Sequence, residues 1–198
     1  MVVRYLVMLR RGLGILFSRL REQGLRVTLL WMMDHALRLL TGMSPPRTSR
    51  IAPNLYLGGQ HYRHGLARLA RLGISASVNL REEADDRARG VTLEEHLWLP
   101  TVDDGAPTAE HLRDASAFIG QALAGGRGVY VHCASGVGRA ATAVAAYLVS
   151  NGSAPDQAWA TIRRVRPFIR PNAVQMAGVH KLHEEASLAS ELESARSK

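Results

Sequence analysis

The chain has 198 residues, of which 46% are hydrophobic and 21% are charged, a balance typical of a globular domain rather than a disordered chain. A single cysteine, Cys133, excludes an internal disulfide and a cysteine-rich zinc site. The formal net charge is +8, but residues 1–50 hold nine arginines and only two acidic residues, so the remainder is nearly neutral. Because the basic excess is interleaved with large aliphatic residues, it does not favour nucleic-acid binding.

Residues 1–43 mix large apolar residues with arginine, and this pattern predicts a basic, apolar helical extension. The segment contains no run of roughly 18–20 uncharged apolar residues, the length that spans a bilayer. Three interpretations remain open. The extension lies on an anionic membrane with Phe17 and Trp31 inserted, or it packs on the rest of the chain with its arginines in solvent, or it is an arginine-rich mitochondrial targeting segment.

A break in the pattern at residues 44–50 predicts a linker, after which one domain extends over residues 51–188. In its first half, apolar runs and glycine turns predict strands at residues 51–60, 75–80 and 96–99, and a helix at residues 62–72. The polar run that follows the second of these strands is interpreted as a loop. Asp85 and Asp86 in that run are interpreted as solvated charges.

The second half of the domain is richer in helices. A loop at residues 101–108, here called the acid loop, leads into a helix at residues 109–124 that is capped by Thr108. Further helices are predicted at residues 140–149 and 155–165 and up to about residue 188, and residues 189–198 are expected to be a disordered tail. Strands separated by helices predict an α/β fold with a largely parallel central sheet.

The most informative stretch joins a strand to a helix through a glycine-containing loop. Apolar residues 128–131 precede His132-Cys133-Ala-Ser-Gly-Val-Gly-Arg139, and an alanine-rich helix follows. A loop at a helix start directs backbone N–H groups and the positive end of the helix dipole at one place. The arginine fork can hold two phosphate oxygens, and the same field favours the thiolate form of Cys133. The candidate phosphate-binding residues are Ala134, Ser135, Gly136, Val137, Gly138 and Arg139, here called the anion loop. A merely structural buried cysteine would account for neither the glycines nor the arginine.

The spacing His-Cys-five residues-Arg resembles the signature of the cysteine-dependent protein tyrosine phosphatase superfamily, in its compact dual-specificity branch. The resemblance implies a compact α/β domain with four to five mostly parallel strands flanked by helices. It also implies hydrolysis of phosphomonoesters through a phosphocysteine intermediate, with Cys133 as nucleophile and Arg139 as phosphate ligand. The mechanism implied by the resemblance needs no metal and no cofactor.

The family places its general acid in a loop before the nucleophile strand, where this chain has Asp103 and Asp104. The resemblance favours Asp103, with Asp104 in a supporting role, although an Asp-Asp-Gly sequence is also ordinary turn chemistry. It further implies that His132 supports the loop backbone. The chain departs from the family at Ala140, where a serine or threonine is usual, and Thr142 or Ser135 is expected to substitute in part.

The overall pattern from residue 51 to residue 185 is most similar to mitochondrial-type phospholipid phosphatases that act on phosphatidylglycerophosphate. This resemblance implies an anionic phospholipid substrate and membrane contact through residues 1–43. A protein tyrosine or dual-specificity phosphatase and a non-catalytic phosphate- or lipid-binding module remain alternatives. The free thiol predicts a reducing intracellular compartment, cytoplasmic or mitochondrial, with the protein peripheral to a membrane.

Overall fold

The computed structural model describes residues 2–196, with side chains for residue 10 and for residues 12–189, 191 and 192. Within this part the strands are β1 (Arg50–Ala52), β2 (Leu55–Gly59), β3 (Ile74–Arg81), β4 (Glu95–Thr101) and β5 (Gly128–Cys133). The helices are α1 (Val2–Thr41), α2 (Pro46–Ser49), α3 (Leu66–Arg71), α4 (Ala109–Ala124), α5 (Arg139–Ser150), α6 (Pro155–Val165) and α7 (Ala173–Arg196). The predicted α/β class is confirmed.

The strands form one sheet in the order β1-β2-β5-β3-β4, parallel except for the antiparallel edge strand β1. All six residues of the central strand β5 are buried, as expected for a parallel strand covered on both faces. Cys133 ends β5, while β3 and β4 end beside it with Arg81 paired to Thr101. The loops after these three strands therefore meet at one edge of the sheet, where ligand sites of open α/β sheets lie.

Local sequence signals explain most of the helix boundaries. Thr108 accepts a hydrogen bond from the backbone N–H of His111, which confirms the predicted cap of α4. Pro155 begins α6 at its first position, where a missing N–H costs nothing. Nine of the twelve residues of α5 are buried, and most are alanine, so this helix lies close against the sheet.

The N-terminal helix α1 bends sharply at Gly24, whose φ of 77° and ψ of 171° are not helical. The guanidinium carbon of Arg19 lies 4.4 Å from the ring centroid of Trp31, which a straight helix with a rise of about 1.5 Å per residue would not allow. The two halves of α1 thus fold toward each other. Asp34 and Arg38 of the second half are buried against the domain.

Two boundaries differ from the sequence-based expectation. Ser44, Thr48 and Ser49 are buried, so residues 44–50 form a packed connection that contains α2 and β1 rather than an exposed linker. Helix α7 continues to Arg196, because alanine, glutamate and leucine in residues 189–196 favour a helix. The expected disordered tail is thus helical over these residues, and residues 197–198 lie outside the described part.

A buried arginine connects α1 to the anion loop. Arg166 is fully buried and forms an ion pair with Asp34, with an Nη1–Oδ1 distance of 3.0 Å. It also donates to the backbone oxygens of Thr48, Ser135 and Gly136 at 2.9, 2.9 and 2.7 Å. The second half of α1 therefore contacts the domain through buried polar side chains, whereas the packing interpretation expected apolar contacts with the arginines in solvent. Among the described residues, no helix is long and apolar enough to cross a membrane.

Replacing Asp34 with alanine would leave the Arg166 cation buried without its counter-ion. We expect Asp34→Ala to lower the free energy of unfolding by about 3–5 kcal/mol in urea denaturation. The control is Glu22→Ala, which removes the half-exposed partner of Arg170 and should cost less than about 1 kcal/mol. Equal losses in the two variants would contradict the role assigned to the buried pair.

Candidate active site

The anion loop wraps around the sulfur of Cys133. The backbone N–H of Gly136 donates to Cys133 Sγ at 3.3 Å, and the cysteine is almost fully buried. Gly136 has a φ of 67°, and a Cβ there would lie 2.3 Å from the carbonyl carbon of Gly58. Only glycine satisfies both constraints. The loop therefore has the tight turn and the inward-facing amide that the sequence predicts.

Arg139 lies at the start of α5 and is held from two sides. Its Nη1 donates to the backbone oxygen of Thr101 at 2.8 Å. Glu83 accepts two further bonds, from Nη1 to Oε2 at 2.9 Å and from Nη2 to Oε1 at 3.1 Å. The hydrogen bond from Arg139 lowers the pKa of Glu83 to about 2. Burial alone would lower the pKa of Arg139, but the bond to Glu83 and the charges of Cys133 and Asp103 raise it. The fork is thus fixed in place by Glu83, a residue that sequence analysis missed.

Both predicted carboxylates of the acid loop line the same pocket as Cys133. Asp103 Oδ1 lies 2.6 Å from Arg139 Nη2, and the Asp103 side chain is 74% exposed. Asp104 adopts a left-handed φ of 57°, the turn geometry that aspartate tolerates. Asn172 Nδ2 donates to the backbone oxygen of Asp104 at 2.6 Å, and Gln175 Nε2 donates to the backbone oxygen of Gly105 at 2.7 Å. The acid loop is therefore anchored to the start of α7, with Asp103 directed at Arg139.

Beneath the anion loop lies a fully buried cluster of His61, Asp86 and His132. His132 Nε2 donates to Asp86 Oδ2 at 2.8 Å, and Gln60 Nε2 donates to Asp86 Oδ1 at 2.9 Å. The interpretation of Asp86 as a solvated charge is wrong, because this carboxylate is fully buried and accepts a hydrogen bond from His132, the residue before Cys133. No hydrogen bond joins the His132 ring to the anion-loop backbone among the described residues, so Asp86 is the partner that orients it.

Burial and hydrogen bonding set the protonation of this cluster. Burial would raise the pKa of Asp86, but the hydrogen bond and charge of His132 and the bond from Gln60 bring it down to about 2. His61 donates through Nε2 to the Val91 oxygen at 2.6 Å, and burial, with the charge of His132, lowers its pKa to about 4. At neutral pH His61 is therefore a neutral donor beneath a charged site.

Thr142 and Ser135, the two candidates to replace the missing family hydroxyl at Ala140, differ in where their side chains lie. Ala140 is fully buried, and Thr142 Oγ1 donates to the Gly138 oxygen of its own helix at 3.1 Å. Ser135 lines the pocket and is partly exposed. Of the two candidates for partial substitution, only Ser135 faces the pocket with Cys133.

The pocket above Cys133 has a volume of about 790 Å³ and includes residues of the N-terminal helix. The predicted site residues Cys133, Arg139, Asp103 and Asp104 meet here. Residues contributed by α1 are Ile15, Arg19, Glu22 and Trp31, and Arg170 lies beside them. Sequence analysis placed α1 on a membrane, on the domain or in a targeting segment, but it did not predict that this helix forms part of the pocket wall.

The neutral state of His61 gives the fold a pH dependence. In the unfolded chain its pKa is near 6.5, so acidification from pH 6.5 to 4 protonates the unfolded state first and lowers stability. We expect His61→Gln, which keeps a donor but does not titrate, to reduce the stability lost in this range by up to about 3 kcal/mol. The measurement is urea denaturation at each pH, with the exposed His64→Gln as control. An unchanged slope in His61→Gln would contradict this assignment.

Comparisons with known proteins agree with this geometry. The family model for the dual specificity phosphatase catalytic domain matches residues 55–185. Dual specificity phosphatase 28 of Mus musculus is 31% identical over 144 residues, which cover 71% of this chain and 86% of that protein. Protein phosphatase Slingshot homolog 3 of Rattus norvegicus is 33% identical over 143 residues, and there the chain spans about a fifth of the relative's length, 21%.

Solved structures give the same result. The crystal structure of PTPMT1 in complex with PI(5)P superposes with a TM-score of 0.65 at 27% identity, covering 71% of this chain and 96% of that one. The structure of human DUSP28 has a TM-score of 0.63 at 25% identity, with coverage of 71% and 99%. The helix α1 precedes the matched residues 55–185, so its part of the pocket wall is additional to the family domain. The chain belongs to the dual-specificity phosphatase family, and it is a phosphoric monoester hydrolase.

Proposed function

We propose that this phosphatase removes the terminal phosphate of an anionic glycerophospholipid such as phosphatidylglycerophosphate, through a phosphocysteine intermediate on Cys133. The observation that carries the lipid assignment is the position of α1, which lines the pocket and also exposes apolar side chains. An enzyme with this arrangement can hold its pocket open to a lipid surface.

In the first proposed step, the Cys133 thiolate attacks phosphorus, and the bond between phosphorus and the leaving oxygen breaks. The amides of the anion loop and the Arg139 fork stabilise the charge on the phosphoryl oxygens. An incoming phosphate would displace Asp103 from Arg139 Nη2, because both are anions that bind the same donors. Asp103 in its protonated form then gives its proton to the leaving alkoxide.

In the second proposed step, water attacks the thiophosphate, and the Asp103 carboxylate accepts a proton from that water. The phosphorus–sulfur bond breaks, inorganic phosphate leaves, and Cys133 returns as a thiolate. Glu83 stays charged throughout, because its pKa is about 2, and it keeps the Arg139 fork in position. The absence of a hydroxyl at Ala140 is expected to slow this step without preventing it.

The exposed side chains of α1 support a membrane-facing orientation. Phe17 is 74% exposed and Leu40 is 77% exposed, and eight further apolar side chains of this helix are also exposed: Leu13, Ile15, Leu20, Leu25, Leu29, Met32, Met33 and Leu39. Exposed arginines lie among them at Arg10, Arg21 and Arg26. Apolar residues mixed with arginine suit the surface of an anionic bilayer.

Two other functions have a specific motivation. A protein tyrosine or dual-specificity phosphatase is favoured by the curated relatives, which are protein phosphatases by name. A weakly catalytic phosphate- or lipid-binding module is suggested by Ala140. Substrate preference separates the first from the lipid phosphatase, and measured turnover separates the second.

The assignment of the acid predicts different effects for the two neighbouring aspartates. We expect Asp103→Asn to lower kcat on an alkyl phosphate by about 10²–10⁴-fold, the usual contribution of a general acid. The loss on p-nitrophenyl phosphate should be smaller, because its leaving group needs little protonation. Asp104→Asn is the matched control and should stay within a few-fold of wild type. The reverse order of the two variants would assign the acid to Asp104.

The proposed substrate is tested by phosphate release from full-length protein. Vesicles of phosphatidylcholine containing phosphatidylglycerophosphate are compared with a soluble phosphotyrosine peptide, with Cys133→Ser as the inactive blank. We expect a higher kcat/KM on the vesicles and no release by the blank. A higher kcat/KM on the peptide would make the chain a protein phosphatase, and no release from either substrate would favour the binding module.

A further inference from the structure

We infer that Arg19 forms a second anion subsite in the active-site pocket, where it binds the phosphodiester of a substrate whose terminal monoester lies over Cys133. The inference rests on the proposed function and deepens it, because it names the group that distinguishes a glycerophospholipid from other phosphomonoesters. It assigns specificity to a residue outside the matched family domain, which begins at residue 55.

The Arg19 side chain is built into the pocket rather than free on the surface. It is 4% exposed, and its Nη1 donates to Gln23 Oε1 at 2.9 Å and to the Phe168 oxygen at 3.2 Å. Its plane is held against Trp31, with 4.4 Å between the guanidinium carbon and the ring centroid. The Nε group is buried and has no hydrogen-bond partner among the described residues. A buried N–H donor without an acceptor is costly, and because Arg19 also lines the pocket, its side chain has an unused donor next to the place where an anion would bind.

The charges around Arg19 also favour an anion. Among the described side chains, no carboxylate lies within 4 Å of its guanidinium, whereas Arg139 is paired with Glu83 and Asp103 and Arg170 is paired with Glu22. Burial, together with the positive charges of Arg170 and Arg166, lowers the pKa of Arg19 to about 10, and the charge of Glu22 in the same pocket offsets only part of this effect. The group therefore remains a cation at neutral pH, in a place that disfavours its charge. A negative ligand group would relieve this repulsion.

The pocket that contains Arg19 also contains Cys133 and Arg139. A glycerophospholipid with a terminal phosphate carries two anionic phosphorus groups joined by a short polyol, so one molecule can present both groups to one cavity. A phosphotyrosine side chain or p-nitrophenyl phosphate presents only one. Arg19 is thus expected to act on substrate affinity and to leave the chemical step unchanged.

The test uses dihexanoyl phosphatidylglycerophosphate below its micelle-forming concentration, so that no membrane is present, beside p-nitrophenyl phosphate. We expect Arg19→Gln to raise KM for the short-chain lipid about ten- to a hundredfold, the range of a charged hydrogen bond, with kcat nearly unchanged. Hydrolysis of p-nitrophenyl phosphate should be unaffected. Arg47→Gln removes an exposed arginine that does not line the pocket and should change neither reaction. Arg19→Lys keeps the charge and should recover part of the affinity.

Several outcomes would overturn the inference. Wild-type protein that prefers the lipid, with Arg19→Gln keeping this preference, removes the subsite but leaves the proposed function intact. Equal losses on both substrates, or a lowered melting temperature together with such losses, make Arg19 a structural residue only. Inorganic phosphate should inhibit p-nitrophenyl phosphate hydrolysis equally in wild type and Arg19→Gln. Weaker inhibition of the variant would mean that Arg19 binds free phosphate instead of the phosphodiester. Wild-type protein without lipid preference overturns the proposed function itself.

Discussion

The site depends on one buried cation, Arg166, which holds the anion loop and the N-terminal extension together. Its guanidinium donates to the oxygens of Ser135 and Gly136 on one side and to the Asp34 carboxylate on the other. Arg166 binds the backbone oxygens of Ser135 and Gly136 on one side of the anion loop. The Gly136 amide can therefore donate to Cys133 Sγ on the other side. A network that buries a charge is stable only when every member is present. The extension is therefore a structural component of this phosphatase domain.

The same extension has a second face that contributes nothing to the core. The bend at Gly24 brings Arg19 over Trp31, while Phe17 and nine further large apolar side chains among the described residues of α1 are exposed. In the proposed function this face lies against anionic lipid, so the pocket wall and the membrane contact are two sides of one element. A substrate would then reach Cys133 without leaving the bilayer surface entirely.

Sequence alone predicted the parts of the site that are local in the chain. Cys133, the two glycines and Arg139 lie within seven residues, and their spacing is enough to predict a phosphate-binding loop. Asp103 was predicted because the loop that contains it resembles the loop in which the family places its general acid.

The missed residues are distant from the loop in sequence. Asp34 and Arg166 are 132 residues apart, and Glu83 and Arg139 are 56 apart. A charge such as Asp86 within a polar run is usually solvated, so only the fold shows that it is buried under His132. Arg19 likewise needed the bend at Gly24 to reach the pocket.

The measurement that tests the central claim most directly is detection of the phosphoenzyme. Full-length protein is mixed with substrate labelled with ³²P on the terminal phosphate, quenched in acid within milliseconds, and digested to locate the label. The account predicts label on the peptide that contains Cys133 and none in Cys133→Ser. Turnover without any labelled enzyme, or turnover retained in Cys133→Ser, would contradict it.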